Sequence, residues 1–404
     1  MLDFDPHHYS LTARWVFPIS SPPLENGVID IESGRITAIH NRRPSSTVVD
    51  CGNVALLPGL INPHTHLEFS DLQCPVEPAL PFTDWIKSLV AVRRAKPATS
   101  TVIQQGLAEC LAAGTTLIGE IATQDWQPET YHLAATHTLA FRELLGMLPE
   151  RLAPQMEIAR QWLGQSDTMF TRGLSPHAPY SVHPDLYRDL VQLAAEKQAT
   201  VAIHLAETRS ELELLDRGTG EFVDMLQRFN AWDPRIIPRR TRPLDYLRPL
   251  AAVRRALVIH GNYLESDELD WLADHPQVSV VYCPRTHAYF QHSPHPWKTL
   301  LDRGVNVALG TDSRGSNPDL SVWREMQFLA QTAPEVDPGT ILAMGTQRGA
   351  VALGRESDSG TLEPGKCAPA ACVPLPEGSD NDPYRLLFSG HPRSLPLLSR
   401  PAHP

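Results

Sequence analysis

The rhythm of apolar and polar positions changes once along the chain, at Pro58-Gly59. Before it, short apolar stretches at 13–19, 27–31, 36–40 and 48–50 are separated by Pro22-Pro23, Glu25-Asn26-Gly27 and Ser33-Gly34. Brief apolar runs cut by turn-forming residues predict strands, here those of a small β unit. After it, compact apolar runs alternate with longer amphipathic stretches. The runs at 59–62, 115–120, 139–144, 171–174, 201–204, 256–260, 278–282 and 305–308 predict strands. The stretches 100–113, 184–198, 266–274 and 321–332 predict helices between them. Pro184, after His183, suits a first helical turn, and Ser266 suits an N-cap. Eight strand–helix alternations of this size are what a (β/α)8 barrel requires.

From Gly360 onward the chain is rich in Pro and Gly with short apolar runs. This tail is expected to return to the N-terminal β unit, with about the last twenty residues disordered. The predicted class is α/β: a distorted (β/α)8 barrel over 58–355, and a small β-sandwich built from 1–57 and 356–404.

Composition narrows the partners. The 404 residues carry a net charge of −11, which disfavours nucleic acid and anionic membranes, since both demand a basic surface. Seven arginines between Arg235 and Arg255 form the one basic stretch, but no aromatic stacking platform accompanies them, so a solvated connection is expected there. The N-terminal residues lack the apolar core of a signal peptide, and no run reaches the ~20 apolar residues of a membrane span. The six cysteines are scattered without a Cys-X-X-Cys pair, which suits reduced thiols in a cytoplasm. A small-molecule substrate, no nucleic acid and no membrane are expected, with a homodimer left open.

The strand ends carry the chemistry. His64 and His66 close the first barrel run; residues two apart on a strand face one side, so both imidazoles can meet at the barrel mouth as adjacent metal ligands. His204 ends the fifth run and suits a third ligand, with Glu207 three residues on as a proton shuttle. His260 ends the sixth run and Asp312 follows the eighth. Catalytic residues in barrels cluster at that face.

These residues resemble the amidohydrolase superfamily, in particular its subgroup of adenosylhomocysteine/methylthioadenosine deaminases, aminofutalosine deaminases and chlorohydrolases. The likeness runs from Pro58-Gly59 to Gly365-Lys366. It implies that His64, His66, His204 and Asp312 hold one divalent metal, zinc or iron. It also implies that Glu207 protonates a ring nitrogen, that His260 orients and polarises the attacking water, and that Asp312 takes a proton from it. Hydroxide then attacks an amino-bearing ring carbon and ammonia leaves. Loss of chloride or an alkylamine from a triazine-like ring, or a barrel that binds metal without catalysis, are the alternatives. Binuclear relatives place a lysine or glutamate at the end of strand four; here 171–180 has neither, which implies one metal. His177 in His177-Ala178-Pro179-Tyr180, Trp85 and Ser316 match substrate-contacting positions. Adenosyl-type deaminases carry a ribose-gripping glutamate where this chain has Arg93-Arg94. Arg93, Arg142 and Arg285 are therefore expected to bind a substrate carboxylate. With the run His64-Thr65-His66-Leu67-Glu68-Phe69-Ser70, they look most like the aminofutalosine branch, whose adenine nucleoside carries a benzoate.

Overall fold

The computed structural model describes residues 7–42, 47–133, 136–165, 170–368, 370–378 and 381–394. The first stretch forms β1 (His8–Val16), β2 (Leu24–Glu32), β3 (Arg35–His40), β4 (Thr47–Asp50) and β5 (Val54–Leu57). Sequence reading found the first four and missed β5, which Pro58-Gly59 separates from the barrel by only two residues.

The eight barrel strands are β6 (Leu60–Thr65), β7 (Thr115–Ala122), β8 (His137–Leu144), β9 (Thr171–Pro176), β10 (Val201–Leu205), β11 (Ala256–His260), β12 (Val278–Tyr282) and β13 (Val307–Leu309). They pair in parallel in chain order. A bridge between Thr65 and Asp312 closes the ring, and the amides of Thr311 and Asp312 donate to the His64 carbonyl at 3.1 and 3.2 Å. The Asn62 side chain staples the same seam, donating to Thr311 Oγ1 at 2.8 Å. Closure itself therefore brings the His64 end of β6 beside Asp312.

Strand side chains sort by parity. Ile61, Leu117, Leu139, Phe141, Ala202, Leu257, Ile259 and Val281 fill the barrel interior, and Ala350 and Leu353 of the helix Gln347–Leu353 pack against them. Residues of the opposite parity, such as Ala140, Ile203 and Val258, join the larger layer between strands and outer helices. One glycine is needed for this packing: a Cβ on Gly119 of β7 would lie 2.3 Å from the Pro63 carbonyl, beneath His64.

Helices stand close to where the sequence put them: Ser100–Ala112, Pro184–Lys197, Ser266–Ala273 and Val322–Thr332. His183 caps the second, with Pro184 in its first turn. The cap of the third is Glu265 rather than Ser266; Glu265 and Glu268 form a reciprocal capping box that Ser266 is one residue too late to make.

The tail does return. β14 (Ala371–Pro374) pairs antiparallel with β5, and β15 (Arg393–Ser394) pairs with β14, giving a seven-stranded mixed sheet. Part of the segment expected to be disordered is a helix, Pro383–Ser389, capped by Asp382 and anchored by buried Leu386 and Leu387. Residues 395–404 lie outside the described residues. No described helix is long and apolar enough to cross a membrane.

Candidate active site

A cavity of about 470 Å³ opens at the C-terminal ends of the barrel strands. On its floor stand His66, His204, Glu207, His260 and Asp312, with His64 fully buried behind them. Ligand atoms of His64, His66 and Asp312 lie within 4.8 Å of one another, as do those of His64, His204 and His260. Asp312 Oδ1 is 3.5 Å from Nε2 of both His64 and His66. Its other oxygen accepts from the Ser316 hydroxyl at 2.7 Å. His204 directs Nδ1 at the His177 carbonyl, 3.1 Å away, which leaves Nε2 free for the cluster.

Burial, then the neighbouring histidines, push the His64 and His66 imidazoles well below the usual range; burial and then His177 bring His204 down to about 4. Neutral imidazoles are the form that ligates metal. Both ring nitrogens of His64, and Nδ1 of His66, are buried without a hydrogen-bond partner. Orphaned buried nitrogens are costly in a protein interior. Two overlapping groups of such donors, both including His64, fit a divalent cation, which would satisfy one nitrogen of each ligating ring.

The backbone is strained at the same place. Ala206, His260 and Asp312 adopt left-handed conformations with φ of 53°, 67° and 56°. Non-glycine residues there cost free energy and cluster at functional sites. Each sits at or just past the end of its strand; His260 and Asp312 turn their side chains into the cavity, and Ala206 precedes Glu207, which does the same. Glu211 holds one of these turns, accepting from the Ala206 and Glu207 amides at 2.9 and 2.8 Å. Sequence reading missed Glu211. Its signal was the run Thr208-Arg209-Ser210-Glu211 directly after a strand, a capping-box pattern.

Glu207 is buried, and its Oε1 lies 3.3 Å from His260 Nε2. Burial, then Asp312 and Glu211, push its carboxyl well above the ordinary range, which favours the protonated form that a proton donor needs. Burial pushes the His260 imidazole well below its usual range, which favours its neutral form.

The other expected contacts divide. His177 and Trp85 line the cavity, the indole donating to the Gly315 carbonyl at 3.1 Å. Ser316 braces Asp312 from behind, and Ser313 takes the place on the cavity wall. Of the three arginines, only Arg93 reaches the cavity, and its Nη2 is already on the buried Glu68 carboxylate at 2.5 Å. Arg142 faces the helix layer, because interior parity on β8 falls to Leu139, Phe141 and the next odd residue, Glu143. Arg285 is held in a buried ion pair with Glu325 at 2.7 Å and a two-pronged pair with Asp319 at 2.6 and 3.0 Å. Its role is structural: Arg285→Ala strands the fully buried Glu325, and a stability loss of about 3–5 kcal/mol is expected in urea unfolding. Sequence reading also missed Arg151, which lies at the rim, and the apolar residues of the outer wall.

The amidohydrolase family model matches residues 55–391, most of the chain. The chain belongs to the amidohydrolase family. This amidohydrolase is 30% identical, over 89% of its length and 84% of the relative's, to the 5-methylthioadenosine/S-adenosylhomocysteine deaminase of Moorella thermoacetica. It is 25% identical to the aminodeoxyfutalosine deaminase of a Nitratiruptor species, over 84% of this chain and 83% of that one. An adenosine deaminase structure from Xanthomonas campestris with bound zinc superposes with a TM-score of 0.76 at 26% identity, covering 95% of this amidohydrolase and 89% of that chain.

Proposed function

We propose that this amidohydrolase is a mononuclear zinc deaminase of an adenosine-type nucleoside, with His64, His66, His204 and Asp312 as the metal ligands. The carrying observation is Glu207: a buried carboxyl 3.3 Å from His260 on the cavity floor, its pKa raised by burial, beside two donor groups that share His64, one with His66 and Asp312 and one with His204 and His260. A structural metal site would need the ligands and not the proton donor. The deaminase names of the relatives point the same way.

When bound, the metal lowers the pKa of a water from 15.7 to roughly 7. The residues do the rest. Glu207 gives its proton to the ring nitrogen next to the amino-bearing carbon, which makes that carbon electrophilic. Asp312 takes a proton from the attacking water, and His260 orients it. Asp312 then returns its proton to the amino group, which leaves as ammonia, while the new hydroxyl's proton restores Glu207. All atoms balance as water in and ammonia out.

Three arginines were the sequence's argument for a carboxylated substrate. Arg142 and Arg285 are turned away, and Arg93 is taken by Glu68. Arg151 is the lining arginine without a described ion pair. The outer wall is apolar, with Leu145 39% and Phe229 42% exposed at the mouth. A nucleoside with an apolar substituent on its non-reacting end suits that wall. The test is a release assay on zinc-loaded protein offered 5′-substituted adenosines, aminodeoxyfutalosine and chlorotriazines. Ammonia from the adenosines is expected; chloride or alkylamine from the triazines, with no ammonia, would overturn the reading.

A further inference from the structure

His260 is an awkward residue to hold in place. It ends β11 at φ 67°, and Gly261 follows at φ 65°. A non-glycine residue in that region persists only where its surroundings over-determine it. On one side the sheet does so: the Gly261 amide donates to the Leu205 carbonyl at 3.0 Å. On the other, the His260 carbonyl accepts from Nε2 of a second buried histidine, His295, at 2.7 Å.

His295 does not line the cavity, and its ring is built into the wall behind it. The imidazole stacks on Tyr282, the last residue of β12, with centroids 4.0 Å apart and planes 26° from parallel. Ser293 and His295 each precede a proline, Pro294 and Pro296, which biases both toward extended backbone. The same segment is tied down at Ser293, whose carbonyl accepts from His287 Nε2 at 2.9 Å and whose hydroxyl accepts from Arg209 Nη2 at 3.1 Å.

Burial first, with His287 and His292 adding to it against the opposing pull of the His260 carbonyl, brings the His295 imidazole down to about 3, which favours the neutral ring. A carbonyl only accepts, so the proton of that ring sits on Nε2. Its Nδ1 is then a buried acceptor, and it has no hydrogen-bond partner. An orphaned acceptor is costly, and an apolar side chain of the same size would avoid it. What histidine adds at this position is the Nε2–H.

We propose that His295 is a positioning residue: its Nε2–H on the His260 carbonyl holds the left-handed turn that aims the His260 imidazole at Glu207. The two side chains it sets are 3.3 Å apart on the cavity floor. The part that His260 plays in turnover rests on the deaminase reading; its geometry does not.

Two substitutions separate the donor from the stack. His295→Phe keeps an aromatic ring over Tyr282 without a donor, and His295→Gln restores an N–H near the Nε2 position without the ring. In zinc-loaded protein, His295→Phe is expected to lower kcat for ammonia release from a 5′-substituted adenosine by about ten- to a hundredfold, the cost of a small misplacement. KM should stay within about threefold of the wild type, since a misaligned reacting group leaves substrate binding intact. His295→Gln should recover kcat to within about threefold although it melts at a lower temperature for want of the stack. Crystal structures supply the arm that needs no turnover: His260 should leave its wild-type φ, or its ring shift by about 1 Å, in His295→Phe and return in His295→Gln. His295→Leu replaces the phenylalanine variant if that ring is too large to fold. Undiminished kcat without the donor, equal losses in the donor and donorless variants, or His260 unmoved would each overturn the proposal. So would failure of both donorless variants to fold, which would make His295 a folding residue. If the wild type releases no ammonia, the deaminase reading fails, and the movement of His260 alone decides this one.

Discussion

Glu207→Gln is expected to lower kcat by about 10²–10⁴-fold, the usual share of a general acid in a rate. Glutamine keeps the volume and a hydrogen-bonding oxygen beside His260, but has no acidic proton to give the ring nitrogen. Because Glu207 stands beside the four proposed ligands rather than among them, metal content by elemental analysis should stay at the wild-type level. The paired readout separates a lost proton donor from a lost metal. Full activity in Glu207→Gln would remove the residue from the mechanism. Glu211→Gln gives a useful contrast: it perturbs the turn that presents Glu207, through the amides of Ala206 and Glu207, without touching the proton itself.

Stripping the metal should have a larger effect still. Dialysis against a strong chelator is expected to abolish turnover, and zinc should restore it. The second readout is stability. A ligand that binds only the folded state stabilises it by about 4 kcal/mol at a thousandfold excess over its Kd. The apo protein should therefore melt at a lower temperature than the zinc-loaded protein. The physical reason is in the site: His64 buries two unpartnered nitrogens, and His64 and His66 both face the Asp312 carboxylate at 3.5 Å. Asp312→Asn should reproduce the loss of both metal and activity, since the Oδ1 that faces His64 and His66 would lose its charge. An apo protein as stable as the loaded one, with undiminished turnover, would contradict the assignment.

Much of the barrel was legible because parallel strands buried on both faces read as continuous apolar runs, and two of the eight, Ala256–His260 and Val278–Tyr282, fell at the expected bounds. The same property hid Glu143. In Leu139-Ala140-Phe141-Arg142-Glu143 every position before the arginine is apolar, so no alternation tells which parity faces inward. Arg142 and Glu143 differ by one residue, and one residue is the difference between cavity and helix layer. Arg285 failed for another reason. Its partners Asp319 and Glu325 lie more than thirty residues away, and no local pattern reveals a long-range ion pair. Arg93 does line the cavity, but its pairing with Glu68 escaped, because the two lie twenty-five residues apart. The proposed metal ligands and Glu207 were legible because each follows an apolar strand directly, where a barrel turns its chain toward the site.

The central claim is that this amidohydrolase replaces a ring amino group with oxygen. Mass spectrometry of the product from a 5′-substituted adenosine, with zinc-loaded protein and ammonia counted in parallel, tests it most directly. The account predicts the inosine-type product and one ammonia for each molecule converted. An unchanged nucleoside, or a product that keeps its amino group, would contradict it.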